Sequence, residues 1–197
     1  GIGLDVMAPY GNMIVDIGGG TTEIAVIALS GMPTNYSIRT AGDELTEAIV
    51  RFFRSNHNIL IGERMAEEIK CQVGSVMPLE EEVIIEVKGR DLVAGVPKVT
   101  EVSSVEIREA LNPPASQMIE AVKVALEKTA PELSADLLER GIFLTGGGAL
   151  IKGLDERLKM ETGVPVHIAE DPLTAVARGT GKVLEDLDYY KKVLLKR

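Results

Sequence analysis

Residues 14–23 read Ile-Val-Asp-Ile-Gly-Gly-Gly-Thr-Thr-Glu. An apolar run carrying one aspartate breaks into three glycines and two hydroxyls. An ordinary turn needs one or two glycines. Three in a row remove every Cβ from the bend, so its backbone amides can press against a neighbour. Successive amides bared in this way make a concave anion site, and phosphate is the first candidate ligand. Residues 23–29 form a second apolar run rich in Ile, Val and Ala, so the feature reads as strand, glycine turn, strand. The competing reading is a glycine-rich hairpin with an acid nearby.

The common glycine signatures do not account for it. A Walker A loop needs Gly-Lys-Ser/Thr before a helix, and the single Gly-Lys pair, Gly181-Lys182, is followed by Val183. The dinucleotide fingerprint needs glycine at its first, third and sixth positions. Counted from Gly18 the sixth residue is Glu23, and from Gly146 it is Ile151. A second glycine run, Gly146-Gly147-Gly148 after Thr145, follows an apolar stretch at 142–144. It is expected to lead into a helix from about Leu150 to Met160, with its amides aimed at that helix N-terminus. Two such loops in one small chain are hard to explain as turns alone. Asp16 ends the first strand, where it suits a Mg²⁺ ion held through water beside a triphosphate.

The remaining pattern is mixed. Residues 13–17, 23–29 and 36–39 read as consecutive strands, the last after a Gly31-Met32-Pro33 turn. Gly42 opens a helix with Leu45, Ile49, Val50 and Phe53 on one face. Residues 63–73 form a second helix closed by Gly74. A strand through Val83, Ile85 and Val87 turns at Gly89-Arg90-Asp91 and returns over 96–102. A helix at 106–111 is expected to stop at Asn112-Pro113-Pro114, before an amphipathic helix at 117–128 and a short one at 135–138. Residues 164–168 form the last strand. Asp171-Pro172 is a good N-cap and first position for a helix reaching about Leu187. Strands with helical crossovers thus stand at both ends, around a more irregular α+β block.

Composition limits the function. Among 197 residues, 45% are hydrophobic and 26% charged, which is ordinary globular usage. The net charge of −9 argues against nucleic acid as a partner. The Lys191-Lys192 and Lys196-Arg197 pairs are read as a solvated end. With one cysteine, Cys71, no internal disulfide is possible. Cys71 is expected in the core or half-buried, His57 and His167 in structural roles, and Glu80-Glu81-Glu82 in a solvated turn. The first residue is Gly1, and the chain is expected to be a processing product or a piece of something longer.

At the level of whole motifs, Val15-Asp16-Ile17-Gly18-Gly19-Gly20-Thr21-Thr22-Glu23 resembles the second phosphate loop of the actin, Hsp70 and sugar-kinase superfamily. Leu144-Thr145-Gly146-Gly147-Gly148-Ala149-Leu150 resembles its adenosine loop. Narrower stretches are Ile61-Gly62-Glu63-Arg64 with Ala66-Glu67-Glu68-Ile69-Lys70, Pro131-Glu132-Leu133-Ser134-Ala135-Asp136 with Glu139-Arg140-Gly141, and Ala169-Glu170-Asp171-Pro172-Leu173. Over nearly the whole chain these are similar to the MreB family, the bacterial actins of rod-shaped cells.

That resemblance implies an α/β fold: an actin-like, ribonuclease H-like ATPase lobe from residues 11–42 and 113–190 (subdomain IIA). A smaller α+β lobe, residues 43–112 (subdomain IIB), is inserted into it. The family binds ATP or ADP with Mg²⁺ in a cleft between two domains, and this chain resembles the second. By the same resemblance Gly18, Gly19, Gly20, Thr21 and Thr22 bind phosphate, and Asp16 positions the metal. Gly42 and Asp43 form the nearby turn into the inserted lobe. Glu67 and Lys70 meet ribose and adenine, where their spacing alone suggests only a surface ion pair. Gly146, Gly147, Gly148, Ala149 and Leu150 line the adenosine pocket. The family's first phosphate loop and its water-activating glutamate precede the stretch that begins here at Gly1. Phosphoryl transfer needs groups from both walls, so the chain alone is expected to show little ATPase activity. The implied partners are further copies, joined head to tail into filaments with the inserted lobe against the next subunit. A membrane-anchored protein of the rod complex is implied on the other lobe, and the membrane itself through the first domain. The implied setting is cytoplasmic, in membrane-associated filaments that guide cell-wall synthesis.

Two other functions share parts of this pattern. A sugar kinase or Hsp70-like chaperone would share both glycine loops, without the Glu67–Lys70 helix and the 131–136 and 169–173 stretches. A non-catalytic cell-division relative of the same fold would carry its inserted lobe elsewhere than between the third strand and the 117–128 helix.

Overall fold

Met13, Val15 and Ile17 alternate along one short run and are almost fully buried. That period of two, with the intervening residues also half covered, makes the run the centre of a sheet. In the computed structural model, which describes residues 1–29 and 31–190, this is β1 (Asn12–Ile17). It is followed by β2 (Thr22–Ala28), β3 (Gly31–Ile38), α1 (Gly42–Asn56), β4 (Ile59–Leu60) and α2 (Glu63–Val73). The chain continues through β5 (Ile84–Asp91), β6 (Pro97–Ser103), α3 (Ser104–Glu127), α4 (Pro131–Arg140) and β7 (Ile142–Thr145). A single 3-10 turn at 147–150 then precedes α5 (Leu154–Thr162), β8 (Val166–Ile168), α6 (Ala175–Glu185) and α7 (Leu187–Tyr190).

Two sheets result. The larger has the order β3-β2-β1-β7-β8, and the smaller β4-β5-β6. Within the larger sheet β1 is antiparallel to β2 but parallel to β7, in a register that sets Asp16 beside Thr145. Parallel neighbours need a crossover. Here it contains the whole of residues 18–141, including the smaller sheet. The block with β4, β5 and β6 lies between β3 and α3 along the chain. One continuous apolar core joins both sheets, running from Met13 and Ile24 through Phe53 and Val87 to Leu144 and Leu158.

Several expectations are corrected. Gly31-Met32-Pro33 is no turn but the start of β3, an edge strand where proline's missing donor is tolerated. Gly89-Arg90-Asp91 stays in β5, and the chain reverses over 92–96 instead. The Asp91 carboxylate accepts from the Val93 and Ala94 amides at 2.8 and 2.9 Å, and Gly95 takes φ +74°. Asn112-Pro113-Pro114 does not interrupt the helix; α3 runs through it for 24 residues. Ile107, Leu111, Pro114, Ala115, Met118, Val122 and Ala125 form one buried stripe across the prolines, so packing overrides the two lost backbone donors. The helix starts with a capping box that composition alone did not suggest. The Ser103 hydroxyl accepts from the Glu106 amide at 3.3 Å, and Glu106 accepts from the Ser103 amide at 2.8 Å.

The 135–138 helix is longer than expected, spanning Pro131–Arg140 with proline at its first turn. The 150–160 helix begins later, at Leu154. Asp171-Pro172 does not cap the last helix. Asp171 accepts from the Thr174 hydroxyl, and α6 begins at Ala175. Cys71 is exposed rather than buried. Glu82 is not merely solvated: it pairs with Arg108 at 2.8 Å and accepts from Ser104. The Lys191-Lys192 and Lys196-Arg197 pairs lie outside the described residues.

Candidate functional site

β1 and β2 meet in a tight hairpin closed by a bond from the Gly18 amide to the Thr21 carbonyl at 3.0 Å. Gly19, Gly20 and Thr21 form its exposed tip. Thr22 differs: it is fully buried, and its hydroxyl donates inward to the Thr40 carbonyl at 2.7 Å. This bond draws the corner between β3 and α1 against the hairpin. The first amides of α1 then donate to the hairpin's carbonyls, Gly42 to Gly18 at 3.0 Å and Asp43 to Gly19 at 2.8 Å. These are helix N-terminal donors that would otherwise lack partners. They fix the carbonyl side of the glycine turn and leave its other edge outward.

The second glycine turn sits at the end of β7, directly beside the end of β1. The Thr145 hydroxyl donates to Asp16 Oδ1 at 2.8 Å. Gly146 has φ +79°, and a Cβ there would run into the Ile17 carbonyl, so the position requires glycine. A Cβ on Gly148 would strike the Ile17 side chain. The Gly146 amide donates to the Pro172 carbonyl at 2.9 Å, and Leu173 lies over Gly147. The 169–173 stretch therefore closes behind this turn. Gly147 and Leu150 are exposed, while Gly148 and Ala149 are buried.

Lys70 closes a third side from α2. Its ammonium donates to the Gly42 carbonyl at 3.0 Å and the Thr46 hydroxyl at 2.9 Å, and pairs with Glu67 Oε2 at 2.7 Å. Lys70 is 8% exposed, so the pair is not the surface ion pair that spacing suggests. Burial pushes the Glu67 carboxyl up. Hydrogen bonds from Lys70 and Thr46 outweigh that and hold it below the usual carboxylate range. Thr46 was not singled out by the sequence. Its only signal is its place one turn after Gly42 on the face that α2 covers.

All the sequence-predicted residues thus gather around the ends of β1 and β7, although Thr22 and Ala149 turn their side chains inward. The other motif stretch, 131–141, sits away from this end and has a structural task. The Asp136 carboxylate accepts from the Gly11 amide at 2.7 Å, and Arg140 donates to Asn12 at 2.9 Å while lying 3.6 Å from the Tyr10 ring. It pins the entry of β1.

A cavity of about 830 Å³, with Asp16 and Thr145 in its wall, lies between residues 1–6 and α6–α7. Its walls are chiefly aliphatic and tyrosyl, and it contains neither glycine tip nor Glu67. Phosphate needs convergent donors, so the glycine turns rather than this cavity are the candidate anion site. Among the described residues no cluster of three metal-ligating side chains exists. Asp16, with one oxygen committed to Thr145, suits only a cation that keeps most of its water and takes phosphate oxygens, as Mg²⁺ does.

A family model described as MreB/Mbl protein matches residues 1–192. The chain is 53% identical over 190 residues to the cell shape-determining protein MreB of Escherichia coli (strain K12), covering 96% of this chain and 55% of that protein. It superimposes on the crystal structure of MreB5 of Spiroplasma citri bound to AMPPNP with a TM-score of 0.92 at 36% identity, covering 97% of this chain and 57% of that one. The ADP-bound form of MreB5 gives 0.91. The MamK double helical filament, at 24% identity and a TM-score of 0.71 over 89% of this chain and 54% of that one, shares the fold. The chain spans about half the length of the relatives it matches.

Proposed function

This chain belongs to the MreB/Mbl family, and from that premise we propose that it supplies one wall of an adenine-nucleotide site in a filament-forming protein that determines cell shape. The observation that carries this reading is the meeting of two glycine turns at one sheet end, locked together by the Thr145–Asp16 hydrogen bond. Gly19, Gly20 and Thr21 present amides to the phosphates of ATP or ADP, with Gly18 and Thr22 holding the hairpin's shape. Asp16 Oδ2 orients waters of a phosphate-bound Mg²⁺, which when present neutralises phosphate charge. The turn from Gly146 to Leu150 takes the adenosine end, and Gly42, Asp43, Glu67 and Lys70 close the opposite rim.

The lobe division that fits this role takes residues 11–42 with 113–190 around the nucleotide, and 43–112 as the insertion, with α3 crossing between them. Polymerisation joins copies head to tail through the insertion, and nucleotide state biases that contact by favouring one domain arrangement. The assembled filament works at the cytoplasmic face of the membrane beside a membrane-anchored rod-complex protein, guiding cell-wall synthesis. Among the described residues no helix is long and apolar enough to cross a membrane. The kinase and chaperone reading is not favoured, because the family match runs through the narrow 61–70, 131–141 and 169–173 stretches as well as the shared loops.

The test is a titration of the ¹⁵N-labelled chain with ADP and Mg²⁺, followed by amide shifts. The expected result is weak, saturable binding that moves Gly19, Gly20 and Gly147 together. Shifts at only one turn, or no saturable binding at millimolar nucleotide, overturn the reading.

A further inference from the structure

α1 opens with two acids, Asp43 and Glu44. Acids in a first turn favour a helix through its N-terminal amides. Glu44 needs no further explanation, since Arg51 neutralises it at 2.6 Å. Asp43 is placed differently. Its amide donates to the Gly19 carbonyl at 2.8 Å, which holds the residue against the glycine hairpin. Oδ1 lies 3.1 Å from the point that a Cβ on Gly19 would occupy, and Oδ2 lies 4.0 Å from the same point on Gly20. The residue is exposed, and among the described residues its carboxylate makes no hydrogen bond and no ion pair. An unneutralised negative charge therefore overhangs the tip whose amides are the candidate phosphate donors.

Such a charge opposes an anion. An ionised carboxylate only accepts hydrogen bonds, so it has nothing to offer a phosphate oxygen. Its repulsion grows with the charge of the ligand. Coordination of Mg²⁺ cancels two charges of a nucleotide, so the same carboxylate penalises the metal-free form more than the complex.

We propose that Asp43 is a specificity-determining residue of the phosphate turn: its charge discriminates against metal-free nucleotide, so that the turn selects the magnesium complex. The proposal rests on the nucleotide reading above. It gives the two acids beside the hairpin opposite roles. Loss of the Asp16 charge weakens the metal-bound form, whereas loss of the Asp43 charge strengthens the metal-free one.

The experiment measures the affinity of the ¹⁵N-labelled chain for ADP from the Gly19 and Gly20 amides, once with Mg²⁺ and once with EDTA. It is run on wild type, Asp43→Asn, Asp43→Ser and Glu44→Gln, with a thermal melt for each. Asp43→Asn keeps the shape of the side chain and the backbone bond to Gly19. It is expected to tighten metal-free ADP and to narrow the gap between the two conditions roughly three- to tenfold at physiological ionic strength, an effect that shrinks in high salt. Asp43→Ser is expected to do the same, which keeps the test available if Asp43→Asn does not fold. Glu44→Gln removes an equal charge from the same turn but away from the hairpin, and is expected to leave the gap unchanged. A merely structural Asp43 would lower the melting temperature on substitution without moving the gap, which overturns the proposal. So does an equal narrowing by Glu44→Gln, or a wild type that binds ADP equally under both conditions. Weaker binding of the magnesium complex by Asp43→Asn also overturns it, because the carboxylate would then be holding the metal's water. Absence of ADP binding by wild type with Mg²⁺ overturns the nucleotide reading itself, and this inference with it.

Discussion

The Thr145 hydroxyl donates to Asp16 Oδ1 across the register pair that joins β1 to β7. Thr145 is 3% exposed and Asp16 half-buried, so the bond fixes a carboxylate at the sheet end from which both glycine turns leave. Thr145→Val keeps shape and removes the donor. It is expected to cost about 1 kcal/mol of stability and to weaken nucleotide binding more in the presence of Mg²⁺ than in its absence. Titration with and without EDTA checks the difference. Equal loss under both conditions would separate Asp16 from the metal.

Gly146→Ala tests the second turn. The site combines φ +79° with an approach to the Ile17 carbonyl that leaves no room for a methyl group. The expected cost is on the order of 1–3 kcal/mol, with loss of nucleotide-dependent shifts at Gly147. Gly163 is the control. Its φ is +71°, but nothing lies within 4 Å of an added Cβ. Gly163→Ala should cost about 1 kcal/mol and leave binding alone.

These two turns show what could be read from the residues alone. Bare glycine after an apolar run is a local statement, and both loops form where that pattern puts them. The α3 prolines mislead because their disruption is local while the stripe from Ile107 to Ala125 is held by tertiary packing. The 89–91 turn misleads because Gly89 has another use. A Cβ there would collide with Ile59 and the Leu60 carbonyl of β4, so glycine lets two strands approach. Thr46 was invisible because its meaning depends on α2, which lies more than 15 residues later.

The capping box sets an expectation for stability. Ser103→Ala removes the acceptor of the Glu106 amide and should cost about 1 kcal/mol, or roughly 2–4 °C in melting temperature for a chain of this size. Calorimetry measures it directly. A shift below 1 °C would mean that packing alone holds the start of α3.

Acid should loosen the α1–α2 junction. Burial raises the Glu67 carboxyl, yet its bonds to Lys70 and Thr46 win and hold it low in the folded state. A depressed folded value contributes stability above the unfolded carboxylate range, near pH 4.3, and loses it as pH falls through the folded value. Wild type is therefore expected to lose its advantage over Glu67→Gln progressively as pH falls below about 5. Urea midpoints across that range check the sign.

Cys71 reports on the same rim. Its exposed thiol lies 3.7 Å from Glu67 Oε1. Saturating nucleotide is expected to slow alkylation by N-ethylmaleimide severalfold, read by intact mass. An unchanged rate would place the ligand away from Glu67.

The unbroken α3 has a mechanical consequence. Twenty-four residues make a rod of about 36 Å. It packs on β2 and β3 of one sheet, on β6 of the other, and on α1 and α5. A rod shared in this way cannot bend at its middle without breaking the buried stripe that runs through Pro114. Strain arriving at the small sheet is therefore delivered, as tilt, to the layer beneath the glycine hairpin.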